Sequence, residues 1–246
     1  MKKLNKILLI ILIIFLFLVG AAVMLYPYIH GAAVDAALKN TALSFCEQME
    51  SIAQTTPSVP DESTSSTSAL PLAELRIAME HYNIDIWEKQ QAGLSSPQAY
   101  TTPSFVLGEY GLNSEIFGAI IIPRIDVYMP LYLGATREHL AAGAAHLSQT
   151  SLPIGGINTN CVISGHRGWK GASYFKYITN LQVGDKVIIY NPWETLEYTV
   201  CEIRIISPGN INSILIQDGR DLLTLLTCHP YASGGKQRYL VYCERS

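Results

Sequence analysis

Nineteen residues from Ile7 to Leu25 form an apolar run behind a short flank that carries Lys2, Lys3 and Lys6. At a helical rise of about 1.5 Å per residue the run spans roughly 28 Å, close to the hydrocarbon thickness of a bilayer. The basic flank predicts a cytoplasmic N-terminus, with everything after about Tyr28 outside the cell. A cleaved export signal is the competing reading. Ala32 and Ala33 suit it, but its apolar core is usually about 7–15 residues, shorter than the run here. The expectation is an uncleaved, single-pass anchor.

Net charge is −3, with acidic and basic residues mixed along the chain. No basic surplus exists to hold a nucleic-acid backbone, so that class of function is set aside. Five cysteines occur, at 46, 161, 201, 228 and 243, without a Cys-x-x-Cys pair. A structural zinc site is therefore not expected, and no metal is assigned. Cys161, Cys201 and Cys243 lie in apolar, strand-like surroundings and read as small buried hydrophobes.

Three regions follow: 1–29 as cytoplasmic N-terminus and anchor, 30–110 as a helical arm, and 111–246 as the main domain. The arm holds a helical stretch at 30–54, a Ser/Thr/Pro-rich linker at 55–68 and a second helix opening near Pro71. Leu75, Ala78, Met79 and Tyr82 share one face of that helix and are expected to pack on the main domain. From about Phe117 short apolar strands alternate with turn residues: 118–122, 125–129, 161–164, 186–190, 197–206, 221–228 and 238–243. Short helices are expected at 137–143 and 171–180. The pattern is mainly β, a closed or sandwich fold with peripheral helices and an N-terminal helical arm.

The segment Thr224-Leu225-Leu226-Thr227-Cys228 ends an apolar strand that His229-Pro230 breaks, and the next strand starts at Arg238. In an antiparallel hairpin the thiol and the guanidinium would share a sheet face, with Cβ atoms about 4.5–5.5 Å apart. A thiolate is a nucleophile, a nearby cation favours it, and a guanidinium can donate to an oxyanion. A histidine is the natural acid for the leaving amine. Of six histidines, His229 should point to the opposite face from Cys228. His166, at a strand end flanked by Gly165 and Gly168, is the first choice, and His146 is the second.

Thr224 to Cys228 resembles the TLxTC signature of sortases, with Arg238 at that family's arginine position and Gly165-His166 at its histidine site. Ile122-Pro123-Arg124-Ile125, the stretch from Thr150 to Gly156, His166-Arg167-Gly168 and Val183-Gly184-Asp185 resemble the class C, pilin-polymerising branch. The resemblance runs from about Ile120 to Glu244. It implies an eight-stranded sortase β-barrel and a cysteine transpeptidase with His166, Cys228 and Arg238 as catalytic residues. Thr227 and Ser164 are the candidate substrate-binding residues. The implied partners are an LPxTG-like surface protein or pilin and an amine acceptor, either a pilin lysine or a cell-wall precursor. No metal or organic cofactor is needed for acyl transfer of this kind. The branch's Asp-Pro-aromatic lid motif is absent, and the nearest stretch, Ser96-Pro97-Gln98-Ala99-Tyr100, lacks the aspartate. Anchoring surface proteins to the cell wall is the alternative role, and a membrane-tethered β-barrel binding module is the non-enzymatic one.

Overall fold

A computed structural model describes residues 2–55, 69–96, 99, 102–112 and 114–246. The Ser/Thr/Pro linker, save Thr55, and Pro97, Gln98 and Tyr100 of the lid-like stretch lie outside the described residues. Eight strands close into a barrel: β1 (Ile116–Ile122), β2 (Val127–Leu133), β3 (Ala144–His146), β4 (Thr159–Ser164), β5 (Lys186–Tyr190), β6 (Thr195–Ile206), β7 (Asp221–His229) and β8 (Gln237–Arg245). Their order around the barrel is β1-β2-β3-β4-β7-β8-β6-β5, closed by the antiparallel β1–β5 pair. The pairs β2–β3 and β4–β7 are parallel and the rest antiparallel.

Strand alternation divides the side chains into two layers. Cys161 and Ile163 of β4, Leu223 and Leu225 of β7, and Tyr239, Val241 and Cys243 of β8 point into the barrel core. Val162, Leu226 and Leu240 point outward and are covered by Leu94, Leu147 and Ile214. Period-two burial on neighbouring strands fixes the pairing register, because a one-residue slip would exchange the layers. The five cysteines are unpaired; Cys161 and Cys243 are buried as expected, whereas Cys201 is only half-buried, in the outward layer with its Sγ 3.4 Å from the Tyr242 carbonyl.

Three expectations change. The strand expected at 125–129 is β2, two residues later, because Pro123–Ile125 forms a 3-10 turn that Asp126 closes in the left-handed region. A strand not foreseen, β3, is only three residues long. The helix expected at 171–180 is a chain of turns with a 3-10 turn at Ile178–Asn180. Its backbone is engaged elsewhere: Trp169 and Ala172 pair with each other, Phe175 N–H donates to the His166 carbonyl, and Ser173 N–H donates to Asp35 Oδ1 at 2.8 Å. Tyr174, with φ of 43°, also breaks helical continuity.

The N-terminal helix α1 (Lys2–Thr55) runs unbroken through Pro27 from the apolar segment onto the barrel. Residues 7–19 and 23–29 are exposed throughout, and this is the one described helix long and apolar enough to cross a membrane. Beyond it, Gly31, Leu38, Ala42 and Cys46 recur at helical spacing as a buried stripe. Leu38 joins the core, while Ala42 and Cys46 pack on Ala119 and Ile121 of β1. The closest approach is glycine on glycine: a Cβ on Gly31 would stand 2.2 Å from the Gly171 carbonyl oxygen. The helix α2 (Ala69–Glu88) buries Leu75 and Met79 against Leu107, Phe117 and Leu152, and Asn83 Oδ1 accepts the Leu152 N–H at 2.8 Å.

Gly31→Val should therefore destabilise the protein by about 1–3 kcal/mol, the usual range for overpacking against fixed backbone. Gly20→Val, at a position with nothing within 4 Å, should leave stability unchanged. Denaturant unfolding of the full chain in detergent compares the two. Equal midpoints would mean that the helix does not pack where described.

Candidate active site

Strands β4, β7 and β8 are neighbours, and their ends at one rim of the barrel carry the three candidate catalytic residues. Cys228 is paired directly with Arg238 in the antiparallel β7–β8 ladder. In the parallel β4–β7 ladder Ser164 is level with Leu226, and Gly165 N–H continues the pairing to the Leu226 carbonyl at 3.1 Å. His166 follows directly after this last bonded residue, just past the end of β4, so the three side chains lie at or next to the ends of three adjacent strands.

Cys228 is exposed and belongs to the outward layer with Leu226, which fits a thiol open to a ligand. Arg238 is half-buried, and its Nη1 donates to the Gly235 carbonyl at 2.7 Å and the Gln237 carbonyl at 3.1 Å. These two bonds hold the guanidinium beside the thiol. A Cβ on Gly235 would stand 3.0 Å from Arg238 Nη1 and 3.3 Å from Cys228 Sγ, so only glycine leaves that space open. Asp221 sits at the opposite end of β7 from Cys228 and Arg238, bonded to Gly156 N–H and Tyr198 Oη–H.

His166 is half-buried, its ring stacked on Trp169 at 4.6 Å with an interplanar angle of 12° and edge-on to Tyr174 at 5.9 Å. This partial removal from water lowers its pKa below the ordinary histidine value. His146 is a different case. It is fully buried, with Nε2 bonded to Thr150, and burial drives its pKa down to about 4. A sealed, neutral imidazole cannot reach a ligand in the groove, so the second choice falls away.

The two candidate substrate-binding residues separate. Ser164 is half-buried and lies two residues before His166 on the outward layer shared with Val162. Thr227 is 1% exposed and points inward beside Leu225, where its hydroxyl donates to the Gly165 carbonyl at 2.7 Å. It is a brace between β7 and the His166 turn instead of a wall of the groove, as alternation from the outward Cys228 requires.

Two residues near the site carry contacts that sequence pattern did not single out. Arg167 Nη1 donates to His229 Nδ1 at 2.5 Å and lies 3.5 Å from the Cys228 carbonyl, and its guanidinium sits over the Tyr239 ring. This ties the segment after β4 to the end of β7. The tie needs His229 Nδ1 without a proton, and burial and the Arg167 charge both lower the His229 pKa. Among the described residues no cluster of three or more His, Cys, Asp or Glu side chains could hold a metal ion.

Comparison with known proteins agrees with this arrangement. Residues 120–246 match the model of the sortase domain. The chain is 32% identical to a pilus-related sortase C of Group B Streptococcus, with a TM-score of 0.64 over 74% of this chain and 92% of that one. Sortase C1 of the same organism's pilus island 1 gives 29% identity and a TM-score of 0.66 over 85% and 92%. Sortase A of Bacillus anthracis is 28% identical over 129 residues, which is 52% of this chain and 59% of that relative. The chain thus spans less than two thirds of that curated relative's length. A family model covering more than half of the chain, on a closed barrel with an exposed cysteine paired to an arginine, places the protein in the sortase family.

Proposed function

We propose that the protein is a membrane-anchored cysteine transpeptidase in which Cys228, His166 and Arg238 act on a sorting signal of the LPxTG type. The observation that carries this reading is the direct β7–β8 pairing of an exposed cysteine with an arginine, next to a strand end that bears a histidine. Cys228 Sγ attacks the carbonyl carbon of the scissile Thr–Gly bond. The S–C bond forms, the oxygen gains charge beside the Arg238 guanidinium, and the C–N bond breaks as His166 protonates the leaving amine. An acceptor amine then attacks the thioester carbon. Its C–N bond forms, the S–C bond breaks, and the amine's proton returns to His166. The apolar stretch of α1 holds the barrel to the membrane, with its lysines on the cytoplasmic side.

A pilin lysine is the acceptor we favour. The similarity to pilus-related sortase C structures extends over 74–85% of this chain, beyond the barrel into the N-terminal arm. Curated relatives include a sortase A, and we keep a cell-wall precursor amine as the second reading.

Full-length protein in detergent, mixed with an LPxTG-type peptide, should give a mass increase equal to the acylated N-terminal fragment. Cys228→Ala should abolish it, and an adduct that persists in that variant would refute the assignment. Added amine should intercept the thioester, so that an amide replaces the acid released by hydrolysis. An unchanged product distribution would instead mean a hydrolytic cysteine protease.

The His166–Trp169 stack predicts a pH effect with a defined sign. Burial lowers the His166 pKa, so Trp169→Ala, which returns the ring to water, should raise it toward the ordinary value of about 6.5. If His166 is the acid, the alkaline limit of activity should move upward with it. An NMR titration of the His166 ring protons reads the midpoint directly, and an unmoved midpoint would rule out Trp169 as the source of burial.

A further inference from the structure

The exit of α1 from its apolar stretch packs on the loop that follows His166. Tyr26, Tyr28 and Ile29 are 66%, 73% and 67% exposed, and no protein covers them. Within the next turn, Gly31 packs on Gly171, and Asp35 Oδ1 accepts the Ser173 N–H. The Pro27 carbonyl oxygen lies 2.3 Å from where a Cβ on Gly171 would stand. The loop at 168–173 is therefore at the height where the apolar helix would leave the hydrocarbon.

That loop and its neighbours carry exposed aromatic rings and lysines. Trp169 is 42% exposed, Tyr177 44% and Tyr231, from the β7–β8 loop, 54%. Lys170 Nζ lies 5.7 Å from the Trp169 ring centroid, and Lys176 Nζ lies 5.3 Å from that of Tyr177 and 5.6 Å from that of Tyr231. A Cβ on Gly168 would stand 3.1 Å from Tyr231 Cε2, so the two loops touch. Residues 166–177 and 229–238 include Arg167, Lys170, Lys176, Lys236 and Arg238 and no aspartate or glutamate, although the whole chain has net charge −3. The carboxylate facing this region from α1, Asp35, is engaged by Ser173 N–H. Amphipathic rings with lysines at the end of an apolar helix match the water–hydrocarbon boundary, where such rings sit at headgroup level and each cation gains from anionic lipid.

We propose that the 169–177 loop and Tyr231 form a surface that rests on the headgroup layer of an anionic bilayer, so that the Cys228 groove opens beside the membrane. The inference rests on the reading of α1 as a membrane anchor. Trp169 joins the two roles, because its ring stacks on His166 and is still 42% exposed. The opposite end of the barrel, where β7 begins at Asp221, is about 26 Å away along the strand.

The test uses the full chain in vesicles of phosphatidylcholine, with and without phosphatidylglycerol, whose acyl chains carry bromine close to the headgroup. Flotation with the vesicles reads the anchor, and quenching of tryptophan fluorescence reads the surface. The wild type should float and be quenched, more so with phosphatidylglycerol. Trp169→Phe should lose the quench, since Trp87 and Trp193 line up with the far end of the barrel. Tyr231→Trp in the Trp169→Phe background should restore it. Each of Lys170→Glu and Lys176→Glu should lower the ratio of docked to undocked protein about fivefold or more. A chain that floats without a Trp169-dependent quench overturns the surface and leaves the anchor standing. A chain that does not float overturns the anchor, and the surface with it.

Discussion

The parallel pairing of β4 with β7 is the contact on which the site depends. Parallel strands need a long connection between them, so the two partners arrive from residues 159–164 and 221–229 and owe nothing to local sequence. Once the pair is in register, Gly165 continues the ladder to Leu226, and Thr227 Oγ1 closes onto the Gly165 carbonyl. A shift of one residue would turn Thr227 outward and Cys228 into the core, and it would expose Leu223 and Leu225. The hydrophobic layers on both sides of β7 thus hold the thiol outside. Core packing and chemistry are set by the same register.

The contrast between His146 and His166 shows how burial sorts one residue type into two roles. Both belong to the β3–β4 side of the barrel. His146 sits inside a strand pair, bonded through Nε2 to Thr150, where desolvation keeps it neutral. His166 stands past the end of β4, shielded by two rings instead of a closed shell, so its pKa falls while the ring stays half-buried. Proton transfer to a ligand needs the second arrangement, since a sealed imidazole has no partner to exchange with.

Strand boundaries were legible where an apolar run has turn residues at both ends. Residues 186–190 and 221–228 match β5 and β7 closely for that reason. The three residues Ala144–His146 carry no period that could be read, and their pairing to β2 and β4 is wholly long-range. Residues 171–180 carry aromatic and apolar spacing that suits a helix. Their N–H groups go instead to Asp35 of α1 and to the His166 carbonyl, partners that only the assembled fold supplies. The Cys228–Arg238 pairing was readable because it lies within one hairpin. The same alternation turns Thr227 inward, against its expected place among the substrate-binding residues. The Trp169 stack and the Arg167–His229 bond depend on how loops fold across the barrel mouth, for which residue spacing holds no information.

The placement of α1 adds a constraint that a free barrel would lack. A helix that passes through a bilayer fixes the height of whatever is bound to its first turns outside, and here those turns hold Gly171 and Ser173. These two residues belong to the segment that begins at His166 and carries Trp169. Glycine on both sides brings the backbones into contact, and the Asp35 bond sets the rotation of the barrel about the helix. Under the proposed anchoring, height and rotation would both be set near the site, and the barrel would have little freedom to turn its groove away from the lipid. A longer or glycine-free junction would keep the anchor and lose this orientation. Under that proposal the sequence between Pro27 and Asp35 would help determine where the thiol faces, independent of the residues around the thiol itself.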